Sequence, residues 1–363
     1  MTGLSMRAIW ERKGPSGKLV WFALLPMSVF YGAVVQLRNF LFARGLMKPV
    51  TLPRPVVSVG NLTVGGTGKT PTCLWLAREL RVRGLKVAIL SRGYRRREKR
   101  PVFLQRTGVA AGCGGQESAL RTVGDEPLMM AEIYHQIVGV GSNRAAAAAE
   151  LMHHVDVDLF LLDDGFQHRR VKRDVDLLLL GQDTSGCLLP AGPFREPRSN
   201  LCRADFLLTT GGDGAWSPII GSANAAKSYA ASLRPVALVG LSSEGVKEFP
   251  LNLLHRSKIL TVTGIADPRG LYRLIHEWEG EIVDTLEFPD HHSYKTRDWQ
   301  QISRLARLVD LIITSEKDIL KMVHFPFAKD KLLALRVAME VERGDALVEE
   351  IIKKIAAVWH PPA

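Results

Sequence analysis

The sequence predicts an α/β protein: a doubly wound, mostly parallel sheet, a second and smaller α/β domain, and an apolar helix at the N-terminus. Three observations carry that expectation. Short apolar runs alternate with helical stretches from Pro53 onward, the pattern of β-α-β units. A polar, Gly- and Ser-rich segment from Gly211 to Ser228 separates two such alternations, as a domain boundary does. The run from Leu19 to Leu37 carries no charge. The expected division is a helical segment at 1–48, a first domain at 49–225 and a smaller second domain at 226–363.

Taken in order, LVWFALLPMSVFYGAVVQL (Leu19 to Leu37) is one helix that, at about 1.5 Å per residue, just reaches across a hydrocarbon core. Pro26 and Gly32 loosen it. Arg7, Arg12, Lys13 and Lys18 precede it and Arg38, Arg44 and Lys48 follow, so charge gives no orientation and the symmetry suits a helix lying in one leaflet. No small-x-small cleavage site follows, against a signal peptide; a buried core helix is the alternative.

Pro53 to Gly60 reads as a buried strand, Thr70 to Arg83 as a helix stopped by Gly84, and Val87 to Leu90 as the next strand. Thr107 to Ser118 is rich in Gly and Ala and reads as an exposed loop. A helix at about Pro127 to His135, the strand IVGVG, a helix from Arg144 to His153 and the strand VDLFLLDDG follow, then DVDLLLLG and ADFLLTT. Beyond the boundary come KILTVTG, a helix near Pro268, EIVDTLEF, a helix from Thr296 to Leu308, DLIITS, a short helix, LLALRV and a C-terminal helix ending near Trp359.

The 363 residues are 46% hydrophobic and 23% charged, which is globular rather than disordered. A formal net charge of +11 favours an acidic partner: nucleic acid, an anionic membrane or a phosphorylated substrate. Cys73, Cys113, Cys187 and Cys202 form no C-x-x-C pair, so a reduced, cytosolic chain is expected.

NLTVGGTGKTP, Asn61 to Pro71, joins the first strand to the first helix. Strand, glycine-rich turn, helix is the context of a phosphate-binding loop, in which backbone N–H groups and the helix N-terminus meet phosphate oxygens. Thr63 to Thr70 (Thr63, Val64, Gly65, Gly66, Thr67, Gly68, Lys69, Thr70) would line it, with Lys69 on the β- and γ-phosphates and Thr70 on Mg²⁺. Thr63 stands where the general pattern has glycine. Asp163 and Asp164 close the apolar strand LFLL, where a second magnesium ligand belongs. Asp125, ahead of Glu126 and Pro127, reads by itself as a helix N-cap.

Several stretches together resemble one family, the tetraacyldisaccharide 4'-kinases of lipid A synthesis: VGNLTVGGTGKTP, LSRGY, VGDEP, DDGFQH, LLPAGPFREP, FPDHH and SEKD. They run in the family's order over almost the whole chain, and Thr63 is the family's own residue in the loop. The resemblance implies transfer of the γ-phosphate of ATP to the 4'-hydroxyl of an acylated glucosamine disaccharide 1-phosphate, giving lipid IVA. It also implies a cytoplasmic, inner-membrane setting, with the apolar helix as the membrane-associated segment and the smaller domain closing the active-site cleft. It assigns Asp125 as the catalytic aspartate and His291 as its partner, with Lys69 on the phosphates. Arg92, Gln167, His168 and Asp290 are expected at the acceptor, and Glu196 near the magnesium with Thr70, Asp163 and Asp164. Asp318 follows a strand end as base-recognising motifs do in other phosphate-loop proteins. Phe166 in place of an expected Leu, the basic RRRE after SRGY and the Gly/Ala loop near Cys113 depart from the pattern.

The competing reading is a switch NTPase of metal insertion or partitioning, but neither a metal-ligand Cys/His cluster nor an extra loop lysine near Gly65 is in the sequence. Nucleic-acid binding lacks aromatic residues interleaved with the basic ones. No obligate protein partner is indicated.

Overall fold

Six consecutive buried residues, Val56–Asn61, form strand β1, and burial on both faces is the mark of an inner strand in a parallel sheet. The computed structural model describes the chain except residues 1–5, 106–115, 211–214, 222–226, 243–244, 266, 323–324, 326–330 and 360–363. The chain divides into two units, Met1–Lys69 with Leu162–Ser232 and Val341–Ala363, and Thr70–Leu161 with Leu233–Glu340. Each unit draws on separated stretches of chain, which a linear reading of composition does not see.

In the first unit β1 runs parallel to β6 (Val175–Leu180), β6 to β7 (Phe206–Thr209), and β7 to the start of β8 (Ser228–Ser242). Leu62, Phe166, Leu178, Leu180, Phe194, Leu207, Trp216 and Ile220 pack into its core. Gly60 is required in β1, since a Cβ there would lie 2.5 Å from the Cβ of Phe166 and 2.7 Å from its backbone nitrogen.

Two helices open this unit, α1 (Met6–Trp10) and α2 (Gly14–Ala43). At 30 residues α2 outruns the uncharged stretch, because Arg38 and Asn39 find partners inside the protein. Its buried residues, Gly17, Trp21, Ser28, Gly32, Val35 and Asn39, recur at helical spacing and make one stripe. That stripe packs on residues 187–196: Ser28 Oγ donates to the Leu188 carbonyl at 2.7 Å and Tyr31 Oη to the Arg195 carbonyl at 2.9 Å. Trp10 Nε1 donates to the Pro190 carbonyl at 2.9 Å. The other face carries Leu19, Phe22, Val29, Phe30, Leu37 and Phe40, all exposed.

In the second unit β2 (Val87–Ser91) runs parallel to β4 (Ile137–Val140), which pairs antiparallel with β3 (Val102–Leu104). A further set places β10 (Lys258–Thr263) between β11 (Glu281–Glu287) and β12 (Leu311–Ser315), with β13 (Leu332–Val341) beside β12, all parallel. The end of β8 folds back antiparallel on β9 (Gly245–Phe249). Leu238, Leu254, Ile259, Leu274, Ile275, Ile313 and Leu335 are among its core. The remaining strand, β5 (Leu159–Asp163), is buried throughout.

The mostly parallel α/β architecture and the apolar helix are as the sequence predicts. The β8–β9 hairpin and β3 are additions. The expected loop at Thr107 to Ser118 lies outside the described residues except for its last three, which begin α4 (Gln116–Val123). The expected boundary at Gly211 to Ser228 is likewise described only in part, and there Trp216 and Ile220 belong to the core. Cys73, Cys187 and Cys202 are free thiols.

Candidate active site

The phosphate loop is built by bracing its flanks and leaving its tip open. Thr63 forms an antiparallel bridge with Phe194, and the Val64 N–H donates to the Pro193 carbonyl at 2.8 Å. Asn61 Nδ2 donates to Thr67 Oγ1 at 2.8 Å, and the Thr67 N–H to the Gly65 carbonyl at 3.0 Å. Gly65 and Gly68 take φ of 116° and 86°, values that glycine adopts without Cβ strain. A Cβ on Gly65 or Gly66 would meet nothing within 4 Å, so the loop is open to a phosphate at these two residues. Lys69 is the first residue of α3 (Lys69–Val82), whose N-terminus adds partial positive charge; Thr70 is half-buried one residue on.

At the end of β5, Asp163 is buried and Asp164 follows at φ 51°. Arg195 Nη1 donates to both Asp164 oxygens at 2.8 and 2.9 Å, and Lys69 Nζ stands 3.7 Å from Oδ1. Gln167 Nε2 donates to the Asn61 carbonyl at 2.8 Å, so its amide braces the loop. His168 is half-buried, its N–H donating to the Gly165 carbonyl at 2.8 Å.

Glu196, expected near the magnesium, has other partners. It is fully buried, and its oxygens accept from Arg38 Nη2 at 2.9 Å, Arg203 Nη2 at 2.8 Å, Asn200 Nδ2 at 2.7 Å and Asn39 Nδ2 at 3.2 Å. A carboxylate with two cations and two amides on it is compensated without a metal. Among the described residues no cluster of three or more His, Cys, Asp or Glu is arranged to hold a metal ion. The remaining donors, the Thr70 hydroxyl and the carboxylates of Asp163 and Asp164, are all oxygen and fit Mg²⁺, which is ordinarily held by one or two carboxylates plus substrate phosphates.

Asp125 opens α5 (Asp125–Glu132), but the cap is Gly124 and no side chain caps this helix. Asp125 is thus the first helical residue rather than the cap, with its Oδ1 accepting the Glu126 N–H at 3.1 Å. The carboxylate also meets His291, whose Nδ1 lies 2.9 Å from Oδ1 and 2.8 Å from Oδ2. A carboxylate with both oxygens at Nδ1 favours the tautomer with the proton there, leaving Nε2 as an acceptor. His291 takes φ 60° and its N–H donates to the Gly264 carbonyl at 3.2 Å. Burial works to raise the Asp125 pKa, but the His291 hydrogen bond and the charges of Lys321, His291 and Lys317 outweigh it. The carboxyl is held well below the usual carboxylate range, and it stays an anion.

Of the groups around this pair, Asp290 is among the residues the sequence singles out, whereas Lys317 and Lys321 are not. Lys317 Nζ forms a 2.7 Å pair with Asp290, whose Oδ2 lies 3.7 Å from His291 Nε2, and Lys321 Nζ lies 2.9 Å from Asp125 Oδ2. Asp318 is fully buried, which removes it from contact with a nucleotide base; it supports the interior. The Tyr94 ring stands 5.0 Å from that of His291, and Arg95 Nη1 donates to the Asp290 carbonyl at 2.9 Å, while Arg92 is exposed. LSRGY and VGDEP meet backbone to backbone: a Cβ on Gly93 would lie 2.7 Å from the Val123 carbonyl, and one on Gly124 3.0 Å from that of Tyr94. The signal for Lys317 was present, inside SEKD; Lys321 lies beyond any motif.

The model of the LpxK family, tetraacyldisaccharide-1-P 4'-kinase, matches residues 20–356. The tetraacyldisaccharide 4'-kinase of Syntrophus aciditrophicus is 36% identical, over 92% of this chain and 93% of its own. That of Geobacter sulfurreducens is 36% identical over 86% and 87%. A crystal structure of LpxK from Aquifex aeolicus in complex with ATP superposes with a TM-score of 0.73 at 29% identity, covering 93% of this chain and 99% of that one. An open phosphate loop, a strand-end carboxylate pair and a buried Asp–His dyad thus sit in a chain matched nearly end to end, and the chain belongs to the tetraacyldisaccharide-1-P 4'-kinase family.

Proposed function

We propose that this protein transfers the γ-phosphoryl group of ATP to the 4'-hydroxyl of a tetraacyldisaccharide 1-phosphate, forming lipid IVA in lipid A biosynthesis. The Asp125–His291 pair carries the reading. A switch NTPase needs no base for an acceptor hydroxyl, whereas transfer to an alcohol does.

Backbone N–H groups of the loop and of the first turn of α3 cradle the nucleotide phosphates, and Lys69 neutralises the β- and γ-oxygens. His291 takes the proton of the 4'-hydroxyl at Nε2 as that oxygen attacks the γ-phosphorus and the bond to the ADP oxygen breaks. Asp125 keeps Nδ1–H in place and stabilises the imidazolium that forms. Mg²⁺ held by Thr70 with Asp163 or Asp164 would supply charge neutralisation on the phosphates. Arg92 and Asp290 are the candidates for acceptor contacts.

The exposed apolar face of α2 supports attachment to a membrane surface, at the cytoplasmic face of the inner membrane where an anionic lipid acceptor meets the basic chain. Docking of the opposite face along residues 187–196 favours a helix lying in the interface over one that spans.

The test is turnover of the purified, detergent-solubilised protein with radiolabelled ATP and a tetraacyldisaccharide 1-phosphate, with mass analysis of the lipid. One added phosphate at the 4' position is expected. ATP hydrolysis with no lipid product would favour the switch NTPase.

A further inference from the structure

One chain of ion pairs leads away from the dyad into the interior: His291, Asp125, Lys321, Asp318. Lys321 lies on the helix Glu316–Met322, with its side chain 8% exposed. Its Nζ is 2.9 Å from Asp125 Oδ2 and 3.0 Å from Asp318 Oδ1. Asp318 is fixed in turn, accepting the Gly264 N–H at 2.9 Å and the Ser315 hydroxyl at 2.7 Å. A buried ammonium between two carboxylates loses its hydration, and apolar side chains of similar size would hold the helix without that cost. The charge therefore calls for an explanation at the dyad itself.

We propose that Lys321, anchored by Asp318, is a positioning residue that shares the charge of Asp125 and so keeps the Nε2 of His291 free to receive a proton. The proposal rests on the kinase reading, in which that nitrogen takes the proton of the acceptor hydroxyl. A carboxylate whose only cationic partner is an imidazole raises that imidazole's proton affinity. With Lys321 present the charge of Asp125 is shared among Lys321, His291 and Lys317. Without Lys321 more of that attraction falls on His291, and the ring gives up its proton less readily.

Among the described residues, the other charged and titratable groups facing the dyad are few. From the same helix come Lys317, paired with Asp290, and Asp318. Asp290 itself stands on the loop after β11, 3.7 Å from Nε2. Glu126, on α5, acts on Lys317. Tyr94 and Arg95 approach from the segment after β2, and Tyr294 lies near Asp318. Lys321 is the group among these that joins the Asp125 carboxylate to a second buried carboxylate, which is what distinguishes it from Lys317.

The experiment is a pH titration of His291 by histidine nitrogen NMR on the full chain in detergent, assigned by loss of its signal in His291→Gln. In Lys321→Met the midpoint should rise by about one pH unit, and Lys321→Arg should return it toward the wild-type value. The acid limb of kcat should move by the same amount, giving about tenfold lower turnover at a fixed acidic pH, with KM for ATP unchanged. An unshifted His291 titration in Lys321→Met overturns the proposal. So does equal loss of turnover at every pH, the result of a merely structural role. Lys321→Gln, closer to lysine in polarity, carries the same expectation should the methionine variant not fold. Failure of the kinase reading looks different: a wild-type protein without transfer, or a His291→Gln protein that retains it, with the titration still measurable.

Discussion

His291 Nδ1 sits within 2.9 Å of both oxygens of Asp125, a carboxylate 166 positions away in the chain. A hydrogen bond to both oxygens holds the ring in one orientation and one tautomer. His291→Ala removes the proton acceptor and Asp125→Asn removes the anion that orients it. Each should lower kcat by roughly 10²- to 10⁴-fold while leaving KM for ATP within about threefold. Steady-state kinetics in ATP at saturating lipid checks this, and a parallel loss of ATP affinity would assign the pair to folding instead.

Asp125 also predicts how stability responds to acid. Its pKa in the folded chain is lowered, so its contribution is complete above the unfolded-state value and is lost as pH falls through the folded one. The window lies below about pH 4, the ordinary carboxylate range. Denaturant unfolding of Asp125→Asn should therefore fall less steeply than wild type there, with parallel curves near neutrality.

Two glycines separate fold from function. Gly60→Ala puts a Cβ 2.5 Å from Phe166, and overpacking of that kind costs about 1–3 kcal/mol. Gly66→Ala meets nothing within 4 Å, so its melting temperature should match wild type while its methyl group occupies the phosphate cradle and raises KM for ATP. Thermal melts beside ATP titrations distinguish the two.

Glu196 is the one carboxylate that ties α2 to the loop carrying Arg195. Glu196→Ala leaves Arg38 and Arg203 without their carboxylate, and breaking a buried pair from one side costs about 3–5 kcal/mol. The measurement is denaturant unfolding, paired with limited proteolysis of α2, which should become the first segment cut.

The outer face of α2 predicts the reverse separation. Phe22 and Phe30 are 64% and 72% exposed, so Phe22→Asp with Phe30→Asp should change stability by no more than about 0.5 kcal/mol per site. Co-sedimentation with anionic vesicles should nevertheless be lost; retained binding would move membrane attachment elsewhere on the chain.

What was legible in the sequence follows the range of the interactions. The phosphate loop is local: strand, turn and helix are contiguous from Val56 to Val82, and the pattern alone discloses it. The dyad is not, since Asp125 by local rules is a helix cap, and only the family resemblance promoted it. Lys321 had neither a motif nor a neighbour in sequence to announce it. The expected helical segment at 1–48 takes in α2, but what holds its last turns was not legible, since the partner of Arg38 is Glu196, 158 positions on. The β8–β9 hairpin was hidden by Pro235 and by the charged Lys247 and Glu248, which mask strand periodicity.

The contact between Gly93 and Gly124 bears on motion. With no side chain between them, the turn carrying Tyr94 and the residue before Asp125 lie against each other with no room for either to slide. The aromatic ring beside His291 and the carboxylate bonded to it thus share one mount. Any displacement of that mount would carry the ring and the carboxylate together.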